Sequence, residues 1–397
     1  MSDDKTVARI PSEKVSLTTI AREWTRLGCI GFGGPPTHIA LLRRMCVEER
    51  HWLNDQEFED GIAATNLLPG PASTQLAIFC AWRLRGMVGA VLGGLCFIIP
   101  GLVLILILAA VFLASHPPTW VLGAAAGAGA AVPAVALNAA WGLAPGSWKR
   151  IGTTRTQRMR WVIYALLGGS AAAIIGPYLV LVLLACGLIE IAVRRGGRRS
   201  PSGSALALLP SVVTHTVALG GLGAIVWVAF KVGALSYGGG FVIVPLMQHD
   251  AVVSYHWMSG AQFLNAVALG QITPGPVVQT VAVVGYAAGG IGGGLLAAAI
   301  AFSPSFVFIL VGAPRFDRIR ANTAIQAFLI GAGPAVIGAI AGSAIPLGLS
   351  LQHAWQIPLL GIALLWLFAI RRGVVSGLLL AAAIGVVVAL AGVPVAA

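Results

Sequence analysis

Six long stretches of this chain contain no Asp, Glu, Lys or Arg, and this feature limits the fold more than any other. They cover residues 86–148, 161–189, 200–230, 251–314, 321–370 and 373–397. Each is long enough for at least one membrane crossing, since about 20 apolar helical residues span the hydrocarbon layer. With 58% hydrophobic and only 10% charged residues, the chain is predicted to be an all-α polytopic membrane protein, which excludes a soluble enzyme.

The few charges are unbalanced, with 25 Lys and Arg against 13 Asp and Glu and a net charge of +12. In a soluble chain this excess would suggest a nucleic-acid partner, but in a membrane protein it marks the short cytoplasmic loops. We therefore expect no nucleic acid. Residues 1–14 are charged where a secretory signal would need an apolar core, so they are predicted to form a cytoplasmic amino-terminal segment.

The chain also repeats itself. Residues 28–34 (GCIGFGG) correspond to residues 233–239 (GALSYGG), and the Pro-Gly-Pro segment 69–71 corresponds to 274–276, in both cases 205 positions later. After the loss of one residue, further Gly and Pro matches continue at 204 positions. The predicted organisation is a segment 1–14, a first repeat 15–195, a linker 196–219 and a second repeat 220–397.

The basic residues indicate how the two repeats are oriented. In the first repeat they cluster in loops at 43–50, 83–85 and 149–160. The matching loops of the second repeat contain no Lys or Arg, whereas its own basic loops, at 315–320 and 371–372, match uncharged loops of the first. Because cytoplasmic loops are basic, we predict two inverted-topology repeats. A cytoplasmic amino terminus then requires an extra crossing within 203–222, and without that crossing the amino terminus lies outside.

Inverted repeats that meet near the middle of the bilayer are typical of secondary transporters, whose binding sites form at discontinuous helices. Residues 61–82 are flanked by basic loops on the same side. They are therefore predicted to enter and return as a re-entrant hairpin, with the P-G-P motif at its tip. The G-F-G-G motif at 31–34 divides residues 17–42 in a similar way.

The N–H groups and the positive dipole end of a half-helix can bind an anion, and proline is favoured at the first helical position. We predict half-helix starts near residues 36, 71, 241 and 276 that converge on one small anion. Arg26 and its repeat counterpart Lys231 would supply positive charge, which suits a dianion. The predicted anion-binding residues are Arg26, Gly31, Gly33, Gly34, Pro35, Asn66, Pro69, Gly70, Pro71, Gln75, Lys231, Gly238, Gly239, Gly240, Gln271, Pro274, Gly275, Pro276 and Gln279. No catalytic residue, metal ligand or cofactor is predicted.

Purely structural interpretations compete with this one. Gly and Pro in membrane helices often serve close packing and kinks, and Arg26 alone would be interpreted as a side chain reaching toward the lipid headgroups. Glu190 is interpreted as an end-of-helix residue, and the histidines lack metal-ligand spacing. The presence of both motifs in both repeats favours the transport interpretation.

Four segments together carry a family resemblance. Residues 28–35 (GCIGFGGP), 66–71 (NLLPGP), 231–240 (KVGALSYGGG) and 271–276 (QITPGP) resemble the chromate ion transporter family in its long, two-domain form. The resemblance covers almost the whole chain. It implies efflux of chromate across the inner membrane of a bacterium, driven by the proton-motive force and giving chromate resistance. Protons are the implied coupling ion, and assembly as a homodimer is left open.

Substrate identity stays open, because chromate, sulfate and molybdate share shape and charge and backbone N–H groups discriminate poorly among them. The alternative transport function is uptake or exchange of sulfate or a related tetrahedral oxyanion. A membrane enzyme such as a chromate reductase would need a redox cofactor site, and the sequence has no C-x-x-C, haem or flavin pattern.

Overall fold

The computed structural model describes residues 15–66, 68–175, 179–195, 221–236, 243–313, 316 and 321–395. These residues form fourteen α-helices and contain no strand. The first seven are α1 (Leu17–Ile30), α2 (Pro35–Arg43), α3 (Asp55–Thr65), α4 (Ala72–Phe112), α5 (Thr119–Ile151), α6 (Arg155–Ser170) and α7 (Leu179–Arg195). The second seven are α8 (Leu222–Leu235), α9 (Ile243–Gln248), α10 (Gly260–Ile272), α11 (Thr280–Gly312), α12 (Thr323–Leu349), α13 (Gln356–Leu364) and α14 (Val374–Leu390).

Wider π turns extend four of these helices: Arg44–Glu49 follows α2, Ala171–Ile175 follows α6, His249–Ser254 follows α9 and Leu365–Ala369 follows α13. The predicted segment 1–14, the linker 196–219 and Gly238, Gly239 and Gly240 lie outside the described residues. So does nearly all of the predicted extra crossing at 203–222.

Four of the described helical segments are long and apolar enough to cross a membrane: Ala72–Phe112, Thr119–Ile151, Val277–Gly312 and Thr323–Leu349. Three further apolar helices are shorter: Leu222–Leu235, Gln356–Ala369 and Val374–Leu390. The helical content and these apolar segments agree with the prediction of an all-α, multi-pass membrane protein.

Helices α4 and α11 are not straight rods. In α4 the backbone leaves the helical region at Arg85 (φ −142°) and Gly86 (φ 59°). A Cβ atom on Gly93 would touch Ala81, twelve residues earlier, although twelve residues of straight helix extend about 18 Å. The chain therefore folds back on itself at Gly86, and Gly290 (φ 62°) makes the same turn in α11. The resulting arms are 72–84 and 87–112 in α4, and 280–288 and 291–312 in α11.

Helices α3 and α10 begin in the same way in the two halves. Asn54 accepts a hydrogen bond from the Glu57 N–H (2.8 Å), and Ser259, 205 positions later, accepts one from the Gln262 N–H (3.1 Å). The side chains of Glu57 and Gln262 bond back to the capping residues, which completes a capping box in each case. Equivalent local sequence thus produces equivalent helix starts.

The long helices α5 and α12 join the halves. Helix α5 packs against α10, α13 and α14 of the second half, and α12 packs against α6 and α7 of the first. Glycines permit these close contacts, since a Cβ atom on Gly127 would collide with the Ala381 carbonyl, and one on Gly338 with the Ala165 carbonyl. The two halves therefore share one core.

Candidate functional site

The first helix break separates α1 from α2. Gly31 ends α1 and donates its N–H to the Leu27 carbonyl (2.9 Å). Gly33 (φ 97°) and Gly34 (φ 78°) adopt backbone angles that other residues rarely accept, and Pro35 begins α2 at its first position. The helix starts one residue earlier than predicted, so Pro35 and Pro36 both occupy its first turn and neither offers an N–H group.

The second kind of break is the P-G-P segment. In the first half it connects α3 to α4, and in the second half it connects α10 to a 3-10 turn, Val277–Gln279, that precedes α11. Gly70 has φ 118° and Gly275 has φ 96°, so both positions require glycine. Helix α3 and the first arm of α4 form a helical hairpin, which we call the first hairpin. Its two open ends lie together, because Arg83 on α4 forms an ion pair with Glu57 on α3. The P-G-P segment forms its other end.

Backbone hydrogen bonds connect the breaks of opposite halves. The Gly275 N–H donates to the Gly31 carbonyl (2.9 Å), and the Gly70 N–H donates to the Ser236 carbonyl (2.5 Å). Ser236 lies 205 positions after Gly31, as Gly275 does after Gly70, so the two bonds are equivalent. Each P-G-P tip thus docks on the carboxyl end of a helix of the other half, at the C-cap residues Gly31 and Ser236. In this conformation the two glycine N–H groups bind protein carbonyls and not an anion.

Polar side chains surround these junctions although the surroundings are apolar helices. A Cβ atom on Gly70 would approach Gln75 and Ser305, and one on Gly101 would collide with the Pro274 carbonyl and the Gln279 amide. We call nine of the buried polar residues at or beside the breaks the polar cluster, each at most 5% exposed: His38, Ser73, Thr74, Gln75, Ser236, Gln271, Gln279, Thr280 and Ser305.

Six members of the polar cluster carry a buried atom without a hydrogen-bond partner among the described residues: Thr74 Oγ1, Gln75 Oε1, Ser236 Oγ, Gln271 Nε2, Gln279 Oε1 and Ser305 Oγ. A buried polar atom left unpaired costs about 1–3 kcal/mol. Folded proteins keep such atoms rarely, and then usually for a ligand or bound water. The polar cluster can therefore bind a polar ligand through neutral hydroxyl and amide groups.

The predicted site residues are not equally placed. Gly31, Gly34, Gly70, Pro71, Gln75, Gln271, Pro274, Gly275, Pro276 and Gln279 are buried around the junctions, whereas Gly33, Asn66 and Pro69 are exposed and Pro35 is partly buried. Two predicted amides have a structural bond: Gln75 Nε2 donates to the Pro69 carbonyl (2.6 Å) and Gln279 Nε2 to the Ile98 carbonyl (2.9 Å). The remaining oxygen of each amide is one of the unpaired atoms.

His38 belongs to the polar cluster but was not predicted as a site residue, because the histidines show no metal-ligand spacing in the sequence. It lies on α2 and is 1% exposed. Its Nε2 is 2.9 Å from the Gly31 carbonyl oxygen and its Nδ1 is 3.2 Å from Ser73 Oγ. The Phe97 ring packs edge-on against it. Its position one turn after a Gly-Gly-Pro-Pro break was the available signal.

The two predicted cations have acidic partners. Lys231 on α8 forms an ion pair with buried Asp250, and its Nζ lies 5.5 Å from the centre of the Trp227 ring. Arg26 on α1 is 66% exposed and lies 3.8 Å from buried Glu23, which also binds Arg50 (2.6 Å). No hydrogen bond or ion pair found within the described ranges connects either cation to a P-G-P segment.

Glu190, interpreted from the sequence as an end-of-helix residue, lies in the last part of α7 and has several partners. It is fully buried on α7 and accepts hydrogen bonds from Arg160 (3.0 and 3.3 Å), Tyr164 (3.2 Å) and Arg194 (2.8 Å). This network connects α6 to α7. Removal of Glu190 would leave two partly buried guanidinium groups without their carboxylate, so its role in this conformation is structural.

A cavity of about 240 Å³ opens at the end of the first hairpin that is opposite the P-G-P segment. It is lined by Glu57, Asp60, Ala64, Phe79, Trp82, Arg83, Ala313 and Phe316. Nearby, hydrogen bonds to Glu59 and Asp55 raise the pKa of Arg43. The equivalent helix start in the second half has the neutral pair Ser259 and Gln262. The first hairpin therefore has a charged entrance, and the second has an uncharged one.

Comparison with known proteins identifies the family. A family profile described as "Chromate transporter" matches residues 18–191 and again residues 223–392. No solved structure matches the chain.

Three relatives carry names that indicate transport. A chromate transport protein of Cupriavidus metallidurans is 33% identical over 338 residues, 84% of this chain and 82% of the relative. A probable chromate transport protein of Synechococcus elongatus is 31% identical over 356 residues, 87% and 88% of the two chains. A chromate transport protein of Pseudomonas aeruginosa is 29% identical over 361 residues, 87% and 84%. Because the profile covers most of both halves and two relatives exceed 30% identity over most of their length, this chain belongs to the chromate transporter family.

Proposed function

We propose that this protein exports chromate across the bacterial cytoplasmic membrane, driven by the proton-motive force, and thereby gives chromate resistance. The observation that carries the proposal is the paired docking of each P-G-P tip on a helix end of the other half, through Gly275 to Gly31 and Gly70 to Ser236. Discontinuous helices that meet between two halves are where secondary transporters bind substrate. The names of the relatives supply the substrate.

The polar cluster suits a tetrahedral oxyanion because hydroxyl and amide groups can hydrogen-bond several oxygens at once without a fixed opposite charge. We propose that the anion takes up the unpaired groups of Thr74, Gln271 and Ser305. Arg26 and Lys231 supply positive charge when their ion pairs with Glu23 and Asp250 open. Neutral groups distinguish chromate from sulfate poorly, so transport of sulfate or a related oxyanion is the second candidate function.

Outward movement of a dianion needs only the electrical part of the proton-motive force. A membrane potential of about 100 mV, negative inside, is worth about 2.3 kcal/mol per charge, hence about 4.6 kcal/mol for a dianion. Uptake of the same anion would have to overcome this energy through cotransported cations. Export is therefore the direction that requires the simpler coupling.

We further propose that the halves have inverted orientations, which is supported by the distribution of Lys and Arg between their loops. To test this, single cysteines would replace Arg50 and Ser254 in a chain whose five native cysteines have been replaced. Inverted halves require labelling of these positions from opposite sides of the membrane. Labelling from the same side would refute inversion without affecting the substrate proposal.

The central experiment is chromate uptake into everted membrane vesicles, in which export appears as accumulation. We expect energised vesicles to accumulate chromate, an ionophore that collapses the membrane potential to abolish most of this accumulation, and sulfate to compete. Vesicles without the protein are the control. Accumulation that survives the loss of the whole gradient would exclude energised export, and accumulation only in right-side-out vesicles would favour oxyanion uptake.

A further inference from the structure

His38 is the titratable member of the polar cluster; the other eight are Ser, Thr and Gln. It contacts three groups: the Gly31 carbonyl from the end of α1, and the Ser73 hydroxyl and the Phe97 ring from α4. Helix α11, whose preceding turn places Val277 near Gly34, carries no charged residue. None of these groups can exchange a proton with His38 near neutral pH, so its charge depends on the aqueous phase and on any bound anion.

The charged side chains of the elements packed around His38 bond elsewhere. Glu23 and Arg26 on α1 pair with each other, and Glu23 also with Arg50; Arg43 binds Asp55 and Glu59; Arg44 binds Glu49; Arg83 binds Glu57; Arg85 bonds to the Val15 carbonyl. Arg22 on α1 and Glu48 in the turn after α2 make no hydrogen bond or ion pair with His38. No charged side chain of the described chain bonds to the imidazole.

The two bonds of His38 define where its hydrogen lies. The Gly31 carbonyl can only accept, so Nε2 must carry the hydrogen of the neutral ring. Nδ1 then has only a lone pair and accepts the hydrogen of the Ser73 hydroxyl. In the neutral state, the Ser73 O–H is therefore occupied by His38.

Protonation reverses the second bond. A proton from the aqueous phase that binds Nδ1 makes this nitrogen a donor, and Ser73 Oγ becomes its acceptor. The bond to Gly31 is unaffected. The Ser73 hydrogen is then free to bond to another acceptor, and the ring gains a positive charge. Ser73 stands beside Thr74, whose hydroxyl is unpaired, and two residues after the P-G-P tip.

We propose that His38 and Ser73 couple proton binding to oxyanion binding, so that a tetrahedral dianion and one proton occupy the polar cluster together. The inference rests on the proposed transport of an oxyanion and does not depend on its direction. A proton on His38 adds one positive charge and one hydroxyl donor next to the anion. By reciprocity, a bound dianion strengthens proton binding to His38. Anion affinity therefore rises as the pH falls through the range in which this histidine titrates.

The test measures the Kd of radiolabelled chromate for the purified full-length protein in lipid nanodiscs, between about pH 5.5 and about pH 8, the range in which His titrates. His38→Gln keeps an N–H donor for the Gly31 carbonyl but cannot bind a proton. His116→Gln, at an exposed loop position, is the matched control. Chromate itself changes charge in this range, but equally for every variant, so the ratio of variant to wild-type Kd isolates the protein.

We expect the ratio of the His38→Gln Kd to the wild-type Kd to rise at least about 10-fold between the alkaline and the acidic end of this range, the limit being tenfold per pH unit for one linked proton. His116→Gln should follow wild type throughout. Ser73→Ala, which retains the charge but removes the hydroxyl, should lose part of the acid-side gain. A merely structural His38 would shift the Kd equally at all pH values.

Each negative outcome has a separate meaning. A ratio of His38→Gln to wild-type Kd that is constant with pH overturns the proton coupling while chromate transport stands. Unchanged acid-side affinity in Ser73→Ala overturns the role of the hydroxyl. Should His38→Gln fail to fold, Ser73→Ala decides the proposal, because a pH dependence of its Kd identical to that of wild type would show that His38 and Ser73 do not act together. Absence of chromate binding to wild type at every pH overturns the proposed function and this inference together.

Discussion

In the first half, the helix after the glycine break carries His38, which bonds to Gly31 and Ser73; the equivalent position in the second half is Ile243. The backbones nevertheless agree closely, since Gly70 and Gly275 have positive φ, as do Gly86 and Gly290. The shared backbone builds the junction, and the differing side chains make one side of it titratable. Symmetry therefore explains the scaffold, and we propose that binding and coupling reside at the departures from symmetry.

Each half has an ion pair between its first helix and its π turn region, but the acid and the base have exchanged places between the halves. In the first half the acid lies on the first helix, Glu23, and the base lies after the π turn, Arg50. In the second half the base lies on the helix, Lys231, and the acid lies in the π turn, Asp250. Both pairs connect equivalent elements, although the residues at matching positions differ.

The largest effect is expected at Lys231. Lys231→Ala should destabilise the protein by about 3–5 kcal/mol, because it removes the ion-pair partner of the buried Asp250 carboxylate. Arg26→Ala, its counterpart in the first half, should change stability by less than about 0.5 kcal/mol since Arg26 is exposed. Thermal unfolding of the detergent-solubilised protein measures the stability change of both variants.

The double variant Lys231→Met with Asp250→Leu separates stability from binding. It should recover most of the stability, because apolar side chains of similar size can replace a buried ion pair. If Lys231 also binds the anion, this folded variant will transport no chromate. Normal transport by the double variant would remove Lys231 from the anion site.

The next effect tests whether the two junctions are equivalent. Gly70→Ala and Gly275→Ala should each reduce chromate transport at least about tenfold. Each places a side chain on a residue with positive φ, which costs about 1–3 kcal/mol of backbone strain, and each brings the new Cβ atom against the Gln75 or Gln279 amide. Gly290→Ala has comparable backbone strain but open space around it. It should lose stability while transport per folded molecule remains. A large difference between Gly70→Ala and Gly275→Ala would contradict equivalence.

The smallest expected effect is a change in stability that has opposite signs at two buried glutamines. Gln271→Leu removes an unpaired buried amide nitrogen, so it should stabilise the protein by about 1 kcal/mol and weaken transport. Gln356→Leu breaks bonds to the Ala126 carbonyl and to two backbone N–H groups, so it should destabilise by about 1–3 kcal/mol without altering transport per folded molecule. A destabilised Gln271→Leu would show that this amide is structural.

Helix breaks were predictable because their causes are local. A glycine that must adopt positive φ, or a proline without an N–H, restricts the chain whatever surrounds it, so the breaks at 31–35 and 69–71 were found within one residue. The buried partners of charged side chains could not be predicted in this way. Arg194 lies one turn after Glu190 on the same helix, but nothing local indicates that Glu190 is buried or that Arg160 binds it. Likewise, the pairing of Lys231 with Asp250 depends on where the π turn places Asp250.

The sequence by itself determined that this is a multi-pass helical membrane protein, since charge-free segments of that length cannot remain in water, and it determined where the helices break. Only the tertiary structure decided which break meets which. The junctions between Gly31 and Gly275, and between Gly70 and Ser236, join residues more than 160 positions apart. Such contacts depend on how the halves pack together, with α4 against α11, which no local pattern encodes. His38 is buried by packing within its own half, against the end of α1 and against α4.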